Sequence, residues 1–214
     1  GNNGLKIEDL ASFWQAIDKA FSTFKNIYGY GLMNEPHDLA PETKWFDMAQ
    51  ASINAIREVD TNTLIMVGGN DWSSAERWIE QSDTLKFLKD PANNLAFEAH
   101  VYFDKDASGT YKYSYEEEEC YPEKGIDRVK PFVEWIKQNK FHGFIGEYGI
   151  PDNDPRWNET LDLFLGYLQE NGINGTYWAA GPWWDTYFMA ITPKDGKDRP
   201  QMPIIEKYTS TLKK

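Results

Sequence analysis

The chain alternates short apolar runs with helical patterns, and this alternation constrains its fold more than any other feature. The runs cover residues 28–33, 64–67, 95–102, 144–147 and 176–178. They are nearly continuous rather than alternating, which is typical of parallel strands that are buried on both faces. Strands separated by helices predict an α/β fold, with a parallel sheet and right-handed crossover connections.

The segments between these runs are predicted to be mainly helical, with one long exception. Leu10, Phe13, Ile17 and Phe21 recur every three or four residues, which predicts a first amphipathic helix. Further helices are predicted at 41–59, 74–81, 125–140, 154–171 and 203–212. The exception is the polar, tyrosine-rich stretch 104–124, which predicts a long surface loop. No segment has the composition of a linker, so we expect residues 1–214 to form one domain.

Two of the apolar runs lead into a glutamate that is followed by turn residues, Glu35 and Glu147. Side chains at the carboxyl ends of parallel strands meet at the edge where α/β proteins carry their active sites. Two carboxylates on separate strands can face each other across a cleft, as the acid and the base or nucleophile of a glycosidase do. The alternative interpretation is that each glutamate is a structural ion-pair partner.

Four strand-end motifs together resemble one family, glycoside hydrolase family 5, the cellulase family, and within it the endo-β-1,4-glucanases. The motifs are Asn34-Glu35-Pro36, His100-x-Tyr102, Gly146-Glu147-Tyr148-Gly149 and Trp178-Ala179-Ala180-Gly181-Pro182-Trp183-Trp184. The resemblance implies a (β/α)₈ barrel, the TIM-barrel fold. It also implies a retaining enzyme that cleaves internal β-1,4 bonds of cellulose or related β-glucans.

The resemblance also assigns roles to individual residues. Glu35 would be the general acid/base and Glu147 the nucleophile of a double displacement. Asn34 would bind the sugar 2-hydroxyl, Tyr102 would donate a hydrogen bond to Glu147, and His100 would line the same pocket. Trp178 would form a stacking floor beneath the sugar. No metal and no organic cofactor are expected, because two carboxylates suffice for this chemistry.

Aromatic residues are abundant, with nine tryptophans among 214 residues. Trp72, Trp183 and Trp184 lie in predicted loops and are candidate sugar-stacking platforms. His37 follows the Asn-Glu-Pro turn, and either a cleft or a turn position fits it equally well. Four other tryptophans fall on predicted helix faces and are expected to serve packing: Trp14, Trp45, Trp78 and Trp135.

Charge and cysteine content exclude several classes of function. The formal net charge is −12, which argues against nucleic acid and against anionic membrane surfaces. Cys120 is the single cysteine, so neither a disulfide framework nor a thiolate metal site is predicted. No apolar stretch approaches the roughly 20 residues of a membrane span. A polymeric substrate and an acidic surface together predict a secreted protein.

The strand count falls short of a closed barrel. The resemblance implies that the five strands are βα units 4–8 of a (β/α)₈ barrel, preceded by the helix before strand 4. The start at Gly1, without an initiator methionine, is expected for a processed, engineered or fragmentary chain. The family's arginine near the nucleophile and its His-Asn pair have no counterpart here. We therefore expect a complementary N-terminal barrel fragment or self-association to complete the fold, because open sheet edges invite aggregation.

Three alternatives remain open at this point. A β-mannanase on the same scaffold would differ mainly in its contacts to the 2-hydroxyl. A truncated barrel could bind glucan through its tryptophans without cleaving it. A third possibility is one partner of a split enzyme, without activity of its own.

Overall fold

Five parallel strands form one sheet in which the spatial order follows the chain. The computed structural model describes residues 6–40 and 44–209. The strands are β1 (Gly29–Gly31), β2 (Leu64–Gly68), β3 (Leu95–Val101), β4 (His142–Tyr148) and β5 (Asn174–Tyr177). Their order is β1-β2-β3-β4-β5, and the five strands are parallel. This confirms the predicted α/β class and the number of strands.

The helices follow the strands as predicted, with some changes in their limits. They are α1 (Ile7–Phe21), α2 (Trp45–Arg57), α3 (Asn70–Ser73), α4 (Trp78–Ser82), α5 (Lys124–Asn139), α6 (Arg156–Glu170) and α7 (Met202–Tyr208). Two 3₁₀ turns cover Asp83–Phe87 and Pro182–Trp184. The predicted starting residues 41–43 of the second helix and the predicted end at 210–212 of the last helix lie outside the described residues. None of the described helices is long and apolar enough to cross a membrane.

The helix predicted at 74–81 forms, but it starts four residues late, and α4 covers Trp78–Ser82. Asp71, Trp72 and Ser73 all have left-handed backbone conformations, with φ between 54° and 56°. A run of such residues cannot continue a right-handed helix. The chain therefore makes one irregular turn at α3 and starts α4 only at Trp78.

Contacts between Cα atoms divide the chain into two compact units, and each has its own core. The first unit takes in residues 1–99 and 134–144. Four of its five tryptophans are buried, which confirms the packing role predicted for them: Trp14, Trp45, Trp78 and Trp135. Two of them also satisfy strand-end carbonyls, because Trp14 donates to Leu32 O at 3.0 Å and Trp45 donates to Gly68 O at 2.7 Å.

The second unit takes in residues 100–133 and 145–214. Its core is aromatic: Phe103 and Phe164 pack edge to face at 5.2 Å, and Trp157 is 1% exposed. Residues 104–123 contain no helix or strand, as predicted, but the prediction of a surface loop is wrong for part of them. Tyr111, Tyr115 and Glu118 are buried.

A buried ion pair anchors the connections around β2 in the first unit. Arg57 donates from Nε to Asp90 Oδ1 at 2.7 Å and from Nη2 to Asp90 Oδ2 at 3.0 Å. Both side chains are at most 3% exposed. Burial opposes ionisation of Asp90, but hydrogen bonds from Arg57 and from the Asn94 and Ala92 amides outweigh it and hold the pKa of Asp90 below its ordinary value.

Replacing Asp90 by Asn is expected to destabilise the protein by about 3–5 kcal/mol at pH 7, because it leaves the Arg57 charge buried without its partner. Urea unfolding measures this difference. Since the pKa of Asp90 is lowered on folding, its contribution is present above the unfolded value of about 3.9 and is lost as the pH falls through the folded value. The gap between wild type and variant should therefore narrow below about pH 4. Glu80→Gln, at an exposed position of the same unit, is the control, and equal stability of the two variants would contradict the prediction.

Candidate active site

In the second unit, three of the predicted site residues meet at the carboxyl end of the sheet. Glu147 lies on β4, His100 lies on β3, and Tyr102 follows β3 directly. The Tyr102 hydroxyl donates a short hydrogen bond to Glu147 Oε1. His100 Nδ1 lies 3.4 Å from Glu147 Oε2. Each carboxylate oxygen of Glu147 thus has a polar neighbour from the adjacent strand.

This cluster is largely shielded from solvent. Tyr102 and His100 are each 6% exposed, and the Glu147 side chain is 14% exposed. Burial, followed by the neighbouring Glu147 carboxylate, raises the pKa of Tyr102 far above its ordinary value. Tyr102 therefore remains a protonated donor at any working pH. A carboxylate that accepts such a hydrogen bond is favoured in its charged form.

The predicted aromatic floor lies in the same unit, directly after β5. The Trp178 amide donates to Tyr148 O at 2.8 Å, which ties this residue to the end of β4. The peptide bond between Trp178 and Ala179 is cis. The Trp178 ring meets Trp184 edge to face with centroids 4.8 Å apart, and Tyr187 lies 5.0 Å beyond Trp184.

Trp183 is more exposed than Trp184, the residue that follows it. Its side chain is 89% exposed, the highest exposure among the large apolar residues of the described chain. The structure therefore groups Trp178 with Trp184 and leaves Trp183 at the surface. Tyr187 also belongs to this aromatic group, but no spacing in the sequence distinguished it from an ordinary loop tyrosine.

In the first unit, Glu35 lies beyond the end of its strand, in the turn that follows. β1 ends at Gly31, and Asn34 and Glu35 lie in a bend after it. Glu35 is half-buried and has a left-handed backbone with φ of 45°. Such a conformation costs a non-glycine residue of order 1–3 kcal/mol and persists only where the surrounding structure holds it.

Trp72 forms a second aromatic platform in the first unit. It is 43% exposed, and His37 stacks on it with ring centroids 4.3 Å apart and planes 15° from parallel. Both rings line an open cavity of about 520 Å³, together with Asn70 and Gln81. His37, which the sequence left between a cleft and a turn position, therefore lines a cavity. The volume lies within the range usual for small-molecule sites.

The left-handed turn beneath Trp72 is held by charge. Asp71 pairs with Arg77 at 2.7 Å, across the connection from α3 to α4. Gly69, directly after β2, cannot carry a side chain, because a Cβ there would come within 2.4 Å of the Trp78 ring. Close packing of Trp78 against the backbone thus fixes where the turn begins, and with it the position of Trp72.

Comparison with known proteins identifies the family. A model of the cellulase family, glycosyl hydrolase family 5, matches residues 1–183. Endo-beta-1,4-glucanase B of Emericella nidulans is 35% identical over 193 residues, which is 88% of this chain and 56% of that protein. A probable endo-beta-1,4-glucanase B of Aspergillus kawachii is 34% identical over 94% of this chain and 59% of its own length.

Solved structures of endoglucanases are also similar to this chain. Pseudomonas stutzeri endoglucanase Cel5A in complex with cellobiose is 41% identical, with a TM-score of 0.90 over 98% of this chain and 62% of that one. XacCel5A in complex with cellopentaose is 36% identical, with a TM-score of 0.88 over 98% of this chain and 68% of that one. The present chain thus spans a little over half of the curated relatives, and it belongs to the cellulase family, glycosyl hydrolase family 5.

Proposed function

We propose that the chain carries the catalytic glutamates of a retaining endo-β-1,4-glucanase. The observation that carries this proposal is the cluster around Glu147: a buried tyrosine hydroxyl on one carboxylate oxygen and an imidazole near the other. A nucleophilic carboxylate must stay ionised, and a donor that cannot itself lose its proton serves that need. Membership of the family supports the same role.

Glu35 is the proposed general acid/base. It follows β1, and Glu147 is the next-to-last residue of β4, so each lies at the carboxyl end of a strand of one parallel sheet, where barrel enzymes carry their catalytic groups. The retaining mechanism requires the two carboxyl groups to be about 5–5.5 Å apart. Asn34, beside Glu35, is the proposed partner of the sugar 2-hydroxyl. No metal or organic cofactor takes part in this proposal.

The proposed substrate is a β-1,4-glucan, bound by stacking on aromatic faces. Related structures contain cellobiose and cellopentaose. Trp178 and Trp184 offer the platform beside the nucleophile, and Trp72 and Trp183 offer further ones. An uncharged polymer suits a chain with a net charge of −12, and degradation of such a polysaccharide takes place outside the cell. We therefore propose a secreted enzyme of polysaccharide breakdown.

We further propose that residues 1–214 form part of a catalytic domain, βα units 4–8 of the barrel preceded by one helix. A complementary N-terminal barrel fragment or a second copy would cover the open edges. In the second unit, Asn174, Gly175 and Thr176 of the edge strand β5 are exposed. Beside them lies a groove of about 710 Å³ whose mixed polar and apolar lining includes Leu165 and Tyr208. In the first unit, α1 exposes Phe13 and Phe21 by 54% and 41%.

Replacing either glutamate should separate the two catalytic roles. Glu147→Gln removes the nucleophile, so we expect loss of reducing-sugar release while cellopentaose binding persists. Glu35→Gln removes the proton donor and should slow cello-oligosaccharide cleavage by about 10²–10⁴-fold. It should spare the first step on a dinitrophenyl cellobioside, whose leaving group needs no proton.

Glu170→Gln, at an exposed position of the second unit, is the matched control and should behave as wild type. Glucan binding by a wild-type chain that never releases sugar would favour the non-catalytic binder. Full activity of Glu147→Gln would refute the proposed mechanism.

The alternative β-mannanase predicts a different substrate preference. The two substrates differ at the 2-hydroxyl, which the proposal assigns to Asn34. We expect faster cleavage of carboxymethylcellulose than of galactomannan, measured as initial rates of reducing-sugar release at equal polymer mass. Asn34→Ala should lower kcat more than it raises KM, because this hydrogen bond strengthens in the transition state. A higher rate on galactomannan would replace the glucanase assignment by the mannanase.

The proposed partner is tested by mass in solution and by complementation. Light scattering should give more than the 24.8 kDa of one chain, or addition of a fragment carrying the first three βα units of a family relative should raise activity. The same fragment with proline in its edge strand is the control, because proline removes a ladder hydrogen bond. A monomer that such a fragment neither binds nor activates would contradict the proposal.

A further inference from the structure

Tyr111 occupies a backbone conformation that a bulky residue seldom adopts. Its φ is 43°, in the left-handed region, and its side chain is 7% exposed. A large buried side chain in that region is an outlier whose cost must be offset by the surrounding structure. The contacts of its hydroxyl indicate what the conformation achieves.

The Tyr111 hydroxyl bridges two segments of the second unit. It accepts a hydrogen bond from the Phe103 amide at 2.9 Å and donates one to Gly149 O at 2.7 Å. Phe103 is the residue after Tyr102, and Gly149 lies two residues after Glu147. The bridge therefore joins the backbone that carries the donor to the backbone that carries the acceptor of the Tyr102–Glu147 hydrogen bond.

The segment 104–111, here called the Asp104 loop, holds Tyr111 in place. Asp104 is fully buried. Its carboxylate accepts hydrogen bonds from the amides of Gly109, Thr110 and Tyr111 at 3.0–3.2 Å, and from the Ser108 hydroxyl at 3.1 Å. One carboxylate thus satisfies three backbone amides and one hydroxyl of a loop that forms neither helix nor strand.

The same loop also lies against the ring of Tyr102. Gly109 has a φ of 71°, and a Cβ at that position would come within 2.9 Å of the Tyr102 ring. On the other side, Arg128 donates to the Tyr102 carbonyl and, at 3.0 Å, to the Lys105 carbonyl. Tyr102 is therefore held through its ring and its backbone by groups that the loop organises.

We propose that Tyr111 is a positioning residue for the nucleophile: its hydroxyl bridge, supported by the Asp104 loop, sets the geometry of the hydrogen bond from Tyr102 to Glu147. This inference rests on the proposed role of Glu147 and deepens it. Tyr111 acts through the backbone on both sides of the reacting carboxylate.

The consequence is a change in the acidity of Glu147. A hydrogen bond to the charged form of a carboxyl group favours that form, and its strength falls steeply with poor alignment. Without the bridge, Phe103 and Gly149 are free to shift, the Tyr102 hydroxyl is less well aimed, and Glu147 takes up a proton at a higher pH. The acidic limb of the rate profile moves to higher pH for the same reason.

Tyr111→Phe removes the bridge and keeps the ring, which packs on Trp157 at 5.0 Å. The matched control is Tyr115→Phe: Tyr115 is also buried, also packs on Trp157, at 4.7 Å, and its hydroxyl lies 3.0 Å from the Thr160 hydroxyl instead of at a strand end. Tyr102→Phe removes the donor itself, so its effect is the largest rise in the pKa of Glu147 that the mechanism allows.

The measurement is NMR titration of carboxyl-labelled glutamates, with the Glu147 signal assigned by its absence in Glu147→Gln. We expect Tyr111→Phe to raise the Glu147 midpoint by on the order of one pH unit, and by no more than Tyr102→Phe does. Tyr115→Phe should leave the midpoint unchanged. In turnover, Tyr111→Phe should lower kcat by roughly tenfold with KM unchanged.

An unchanged midpoint in Tyr111→Phe, or an equal shift in Tyr115→Phe, would overturn the proposal. If near-UV circular dichroism shows that Tyr111→Phe does not fold, Asp104→Asn decides instead. This variant loosens the loop but keeps the hydroxyl, so we expect a smaller shift in the same direction, and no shift would again overturn it. Because the titration needs no turnover, a wild-type chain without hydrolytic activity would refute the proposed function and leave this test intact.

Discussion

The hydrogen bond from Tyr102 to Glu147 is the interaction on which the second unit depends for its proposed chemistry. It joins residues at the ends of neighbouring strands, so it exists only because β3 and β4 run parallel and finish at the same edge. Burial keeps the phenol protonated, and a protonated phenol stabilises the carboxylate beside it. A carboxylate with these surroundings, in the proposed role of nucleophile, is preorganised before substrate arrives, which is how electrostatic stabilisation avoids reorganisation during the reaction.

Keeping polar groups buried at that edge requires that each has a partner, since an unpaired buried donor or acceptor costs about 1–3 kcal/mol. The loop between β3 and α5 meets this requirement with two buried carboxylates. Asp104 accepts from the turn that it begins, and Glu118 accepts from the amides of Lys105 and Tyr113 at 2.8 and 2.9 Å. A segment without helix or strand is thereby ordered, and it presents Tyr111 to the strand ends.

In the first unit, two predicted site residues lie in short irregular turns after the strands. Glu35 and Trp72 both have left-handed backbones, and each lies in an irregular turn after its strand. Conformations of this kind persist only where surrounding contacts over-determine them. Here those contacts are buried tryptophans that satisfy strand-end carbonyls, and the Arg57–Asp90 pair behind β2. The buried contacts of the first unit therefore hold the left-handed turns that follow its strands.

The sequence alone determined the parallel five-stranded sheet, the position of Glu147 at a strand end and the packing role of Trp14, Trp45, Trp78 and Trp135. These features depend on local periodicity and on the apolar content of short runs, which the order of residues displays directly. Only the tertiary structure decided that β1 stops at Gly31 and that Trp72 stacks with His37. It also decided that the loop between β3 and α5 buries Tyr111 and Glu118. Each of these depends on partners distant in sequence. The hydrogen bond from the Tyr111 hydroxyl to the Gly149 carbonyl produces no periodic pattern in the sequence, because the two residues are 38 positions apart.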